Sequence, residues 1–341
     1  MKRYQGISGL KGIAILLIVL LHVGVNGNYN INDYINQNTI SQLGIMVQLF
    51  FMVSAFGMCC GYYNKIKNNE ISLNEFYGKR YRKIWPFFML IVLMEVIFSG
   101  LSKKIFTEAF LDATLVFGFL PKGNIEVVGI GWTLGVIFAF YILFPFFVFL
   151  MWNRRRAWMT LAVCLIIRFA CGEYFVNDGS TVMVNVLLWS TQFVTGGLIF
   201  LYKDMLVEKL HHKKILQISA LLILVTAGII NGVYLHFDEM DKILLLLIFG
   251  MLIIYAISNH SFLLENRAVM FVGRYCLEIY LSHMVIFRLI EKLSLHQMIN
   301  NQAGAFVFTY ILTVVGTLAF SVAVNYVLER IGKVFNERIN A

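Results

Sequence analysis

The chain has 341 residues, of which 59% are hydrophobic and only 14% charged, with mean hydropathy +0.75 and a formal net charge of +9. That balance lies well outside the usual range for a soluble domain. The positive charge follows from membrane topology once the loops are read, so no nucleic-acid partner is needed to explain it.

Spans of about twenty predominantly apolar residues recur along the chain. In order they cover roughly 7–25, 43–63, 84–101, 128–152, 157–174, 182–202, 215–235, 242–258, 270–290 and 304–328. The expectation is an all-α polytopic bundle of about ten transmembrane helices, forming one membrane domain over 1–341. Segment 105–120 is apolar but short and broken by Asp112, which suits an interfacial or re-entrant piece. The N-terminus imitates a signal peptide, with a basic tip and then an apolar run. No small-x-small cleavage pattern follows closely, so 7–25 reads as the first membrane helix. The five cysteines (59, 60, 164, 171 and 276) have no metal-ligand or paired spacing and read as packing residues. No internal repeat, P-loop, dinucleotide fingerprint or zinc motif is present, and no metal site is expected.

Charge sets the orientation. With the N-terminus inside, the inner face holds Lys2, Arg3, Lys65, Lys67, Lys79, Arg80, Arg82, Lys83 and Arg154–Arg156. Lys203, Lys209, Lys213, Lys214, Arg267, Arg274, Arg330, Lys333 and Arg338 lie on the same side, which makes twenty of the 28 Lys and Arg. Every second loop is the basic one, so both termini are expected in the cytoplasm.

Polar residues inside these spans are the functional candidates. Lys11 and His22 lie in one aliphatic helix. An offset of eleven residues turns through three full turns plus about 20°, so both point the same way, about 16 Å apart along the axis. Ionisable groups in such a segment read as functional, against a snorkelling Lys and a His satisfied by a neighbouring helix. Ser54, in Phe50-Phe51-Met52-Val53-Ser54-Ala55-Phe56-Gly57, also suits close helix contact. A basic loop over Phe76–Pro86 carries Lys79, Arg80, Arg82 and Lys83, more charge than orientation needs; lipid headgroups are an equally physical partner. Trp132 heads Gly131-Trp132-Thr133-Leu134 and would also suit an aromatic belt. In the ninth span, Tyr280 and His283 are helical neighbours at i, i+3, and Glu278 and Ser282 at i, i+4. A Glu, a Tyr and a His on one membrane helix are hard to justify as packing.

Together these segments resemble the bacterial membrane acyltransferase 3 family. Its first-helix pattern, Arg/Lys-Gly running to a His, is matched by Lys11-Gly12 to His22, with Lys where Arg is usual and Ser8 where Asp is common. Its Phe-Phe-x-x-Ser-Gly-Phe pattern is matched by Phe50–Phe56, its Arg-Ile-x-Pro by Lys83-Ile84-Trp85-Pro86, and its late Ser-Leu-x-Ile-Tyr-Leu-x-His by Cys276–His283. One departure stands out: Ile137 occupies the position of the Glu in the family's Trp-Ser-Leu-x-x-Glu pattern.

The resemblance implies transfer of a short acyl group, acetyl before any other, onto a cell-envelope carbohydrate in the bacterial cytoplasmic membrane. No cofactor would be held permanently; acetyl-CoA or another acyl-CoA would be the donor. Lys79, Arg80, Arg82 and Lys83 would hold its phosphates, and Lys11 would stand along the donor channel. His22 would act as general base on the acceptor hydroxyl, and a covalent acyl-histidine stays open. Ser54, Trp132, Glu278, Tyr280 and His283 would orient His22 or grip the acceptor, with membrane lipid as the remaining partner. The competing reading is a polytopic carrier or flippase for a lipid-linked sugar, which would move its cargo without consuming a thioester.

The topology is open to direct test. Alkaline phosphatase fused within residues 26–40 should be active, and the same reporter fused after Arg156 should be silent. The reverse result at either point overturns the orientation.

Overall fold

The structure, a computed structural model, describes residues 4–27, 29, 40–100, 102–120, 127–176, 185–211, 213–230 and 238–339. Among these every regular element is helical. The main helices are α1 Gln5–Asn26, α2 Met46–Met58, α3 Leu73–Ser99, α4 Lys103–Thr114, α5 Trp132–Leu150 and α6 Arg154–Cys171. They continue with α7 Ser190–Leu210, α8 Lys214–Ile230, α9 Asp238–Ser258, α10 Arg267–Arg274, α11 Cys276–Lys292 and α12 Gln302–Ile339. A helix overlaps each of the ten expected spans. Five are long and apolar enough to cross a membrane by themselves, or six if α10 and α11, bent by 78° at Tyr275, count as one span.

Capping explains several starts. Ser72 accepts a hydrogen bond from the Glu75 backbone N–H (3.1 Å), Ser102 from Ile105 (3.2 Å) and Asn153 from Arg156 (2.9 Å), satisfying amides that lack intrahelical partners. The Ser72 cap corrects the sequence expectation for 76–86. That stretch is no loop, because α3 begins at Leu73 and carries the whole basic run in helical form. Gly100, at φ +77°, ends α3, and Leu115, at φ +58°, ends α4.

Two further expectations shift. Of the span expected at 182–202, residues 182–184 lie outside the described residues and the helix begins at Ser190. Residues 186–189 are held in turns, where Val186 N–H donates to the Gly118 carbonyl (3.0 Å) and Leu187 N–H to the Asn185 side chain (2.8 Å). The span expected at 270–290 begins at Arg267 and breaks at Tyr275. Segment 105–120 folds back on α3: Trp85 Nε1 donates to the Ala113 carbonyl (3.0 Å). Its turn at Phe117–Phe119 lies against α5, where Gly118 meets the Gly135 carbonyl.

α1 is the central helix, with Ile15, Ile18 and Val19 fully buried, while α6 and α8 turn most of their apolar side chains outward. Gly6, Gly9 and Gly12 form a stripe at three-residue spacing. A Cβ on these would collide with the Ala256, Leu264 and Val269 carbonyls in turn. From the other side, Gly273 of α10 abuts the Ser8 carbonyl and Gly12 N. Lipid offers no hydrophobic push between helices, so such close backbone approach is what holds them together.

Gly273→Ala should therefore lower stability by about 1–3 kcal/mol through overpacking, read as a lower melting temperature in detergent. Gly228→Ala in α8, where no atom lies near the added Cβ, should leave melting unchanged or raise it slightly.

Candidate active site

The glycine contact seats the α10–α11 bend on α1 and brings two histidines together. The His22 and His283 rings lie 5.0 Å apart between centroids, inclined at 44°. His283 is fully buried, and its Nδ1 lies 2.7 Å from the Tyr280 carbonyl and 3.2 Å from that of Ile279. Both neighbours are acceptors, so Nδ1 carries the proton and Nε2 keeps a lone pair. That Nε2 is buried without a hydrogen-bond partner among the described residues. The His22 ring is half-buried.

Tyr280 links this pair to a cavity. Its ring centroid is 5.9 Å from that of His283, and its hydroxyl donates to Thr133 Oγ1 (2.8 Å) and approaches the Ile130 carbonyl (3.1 Å). Those bonds fix the start of α5 against α11.

The cavity, of about 330 Å³, is lined by Tyr280 and Thr133 and by the cations Lys11, Arg80, Lys83 and Arg274. Glu278 is its one acidic lining residue among those described. Ser54 and Tyr141 meet on its wall at 3.0 Å between hydroxyl oxygens. Arg80 donates to Tyr62 Oη (2.6 Å), while its Nε is buried with no partner. Ile137, at the position of the family's Glu, faces the same space as Glu278.

Helical form divides the basic run in two. Arg80 and Lys83, at i, i+3, both reach the cavity, whereas Lys79 and Arg82 do not line it. Lys79 instead pairs with Glu75 one turn earlier, which holds that carboxyl below the usual carboxylate range. Arg82 Nε donates to the Gly78 carbonyl (3.2 Å).

A model of the acyltransferase domain matches residues 4–329, nearly the whole chain. The chain belongs to the acyltransferase 3 family. No curated protein and no solved structure gives a significant match. Membership makes the protein an acyltransferase, and its apolar helices make it an integral membrane protein.

Of the residues singled out in the sequence, the structure gathers Lys11, Ser54, Arg80, Lys83, Glu278 and Tyr280 around the cavity and pairs His22 with His283 beside it. Trp132 does not line it. It packs against Phe51 and Trp189, at 6.2 and 6.1 Å between centroids, and its neighbour Thr133 makes the polar contact with Tyr280. Thr133, Tyr141, Tyr62 and Arg274 escaped the sequence reading, because one hydroxyl or one loop cation on an apolar helix carries no signal of its own. A larger cavity, about 500 Å³, is an apolar groove between α5, α6 and α7 that contains none of the expected site residues.

Removing the Tyr280 hydroxyl strands buried acceptors at Thr133 and Ile130. Tyr280→Phe should cost about 1–3 kcal/mol, and Thr133→Val added to it should cost less than its effect alone. Melting of the two single variants and the double variant in detergent measures that coupling.

Proposed function

We propose that the protein carries a short acyl group, acetyl first, from cytoplasmic acyl-CoA to a hydroxyl of a cell-envelope carbohydrate, with His22 as general base. This reading places ten spans in the bacterial cytoplasmic membrane with both termini inside. Its main support is the charge of the cavity: four cations and one carboxylate surround a space that adjoins the histidine pair. Coenzyme A brings several phosphates, which cannot enter hydrocarbon and need such a lining. The family membership favours transfer over the carrier reading, which no observation here supports.

The chemistry follows from the two rings. Protonated at Nδ1 by its backbone bonds, His283 sets its ring against that of His22, 5.0 Å apart between centroids. That packing positions the His22 imidazole, and a neutral imidazole has one nitrogen able to accept a proton. As the acceptor oxygen attacks the thioester carbonyl, His22 takes the hydroxyl proton; the C–S bond breaks and the proton passes to the departing thiolate. A hydroxyl becomes an ester and a thioester becomes a thiol, with no net proton change. Lys11 is on the same helix but three turns away, so it serves the phosphates rather than the proton.

His22→Ala should cut acyl transfer by on the order of 10²–10⁴ at equal expression, and His283→Ala should cut it less. Arg80→Gln with Lys83→Gln should raise the donor KM about tenfold or more and leave the acceptor KM nearly fixed. Lys79→Gln with Arg82→Gln should change the donor KM little, because neither side chain lines the cavity. Thiol release from acetyl-CoA in purified membranes measures all three; near-normal rates for His22→Ala would return that residue to a structural role.

A further inference from the structure

A second cavity of about 250 Å³ opens in the seam between α1 and α10, lined by Gln5, Ser8, Arg267, Met270, Phe271 and Arg274. It adjoins the first, because Arg274 lines both. Arg267 and Arg274 are seven residues apart, which puts them on one face of α10 about two turns from each other. No carboxylate lines the seam among the described residues. The acid nearest Arg267 in sequence, Glu265, is engaged elsewhere, 3.0 Å from His260 Nδ1. Neither arginine has an ion-pair partner among the described residues. Phe271, braced edge-on by Tyr275 at 5.3 Å between centroids, adds a flat apolar wall.

Two forked guanidiniums, two small polar groups and an aromatic face suit a phosphorylated purine nucleoside. We propose that this seam is a second anion subsite of the donor site. In it Arg267 and Arg274 hold the 3′-phosphate of coenzyme A and Phe271 covers the adenine. Lys11, Arg80 and Lys83 take the diphosphate in the adjoining cavity. The inference rests on the acyl-CoA reading above and assigns its nucleotide end. The seam exists because Gly12 and Gly273 let α1 and α10 touch beneath it, leaving the longer side chains to form its rim.

The test compares two donors, acetyl-CoA and acetyl-3′-dephospho-CoA, with the full-length protein in membranes. Wild type should favour acetyl-CoA by about a hundredfold or more in kcat/KM, the worth of two charge-assisted contacts. Arg267→Gln should cut that preference by about tenfold, Arg267→Lys should keep more of it, and Arg267→Gln with Arg274→Gln should bring it close to one. Equal loss on both donors in Arg267→Gln, or no preference in the wild type, overturns the subsite while leaving the acyl-CoA reading intact. The first of those results would mark Arg267 as a contact for lipid phosphate. Failure of the wild type to consume either donor would sink both.

Discussion

The backbone contact between α1 and α10 is the constraint on which the rest of the structure depends. Glycines on both helices let main chain meet main chain where a single methyl group would collide with a carbonyl oxygen. In hydrocarbon, where apolar side chains gain nothing by leaving lipid for protein, such close packing is among the few forces that can fix one helix against another. It also fixes function. With Gly273 seated on Ser8 and Gly12, the chain bends by 78° at Tyr275, and the helix that leaves the bend carries Glu278, Tyr280 and His283 inward. Moving α10 away from α1 would separate His22 from His283 and open the wall between the cavity and the seam.

Around that contact the polar groups divide the labour by depth. At the cavity, cations outnumber acids four to one, and Lys11 and Lys83 lack hydrogen-bond partners among the described residues. Unneutralised charge within a membrane protein is costly unless water or an anion reaches it. Deeper in, the chemistry changes from charge to hydrogen bonding, through Tyr280, Thr133 and the Ile130 carbonyl to the histidine pair.

The stretch that folds back on α3 is the second structural device. α4 lies against α3, and the turn at Phe117–Phe119 packs on α5 beside Gly135. Irregular backbone of this kind is tolerated in a membrane only where protein or a cavity satisfies it. Here the Ile130 carbonyl receives the Tyr280 hydroxyl and the Gly118 carbonyl receives the Val186 N–H. Glu95 of α3 is paired in turn by Arg288 of α11, which ties this layer to the helix that carries Tyr280 and His283.

Composition and periodicity by themselves determined that the chain is a helical membrane protein and where most of its apolar helices fall, and they singled out Lys11, His22, Glu278, Tyr280 and His283 as candidates. Those are local properties: apolar length and the cost of a buried polar group are written residue by residue. Only the tertiary structure decided which of them meet. The basic run looked like a loop until the Ser72 cap made it helical, and helical phase then sent Arg80 and Lys83 to the cavity and Lys79 and Arg82 away from it. Trp132 stood out by size, yet Thr133 makes the contact, because a one-residue step on a helix turns the side chain by about 100°. The bend at Tyr275, the seam with Arg267, and the meeting of Gly12 with Gly273 depend on residues some 260 positions apart in the chain. No periodicity within one segment encodes such a pairing, since its energy exists only when two distant backbones touch.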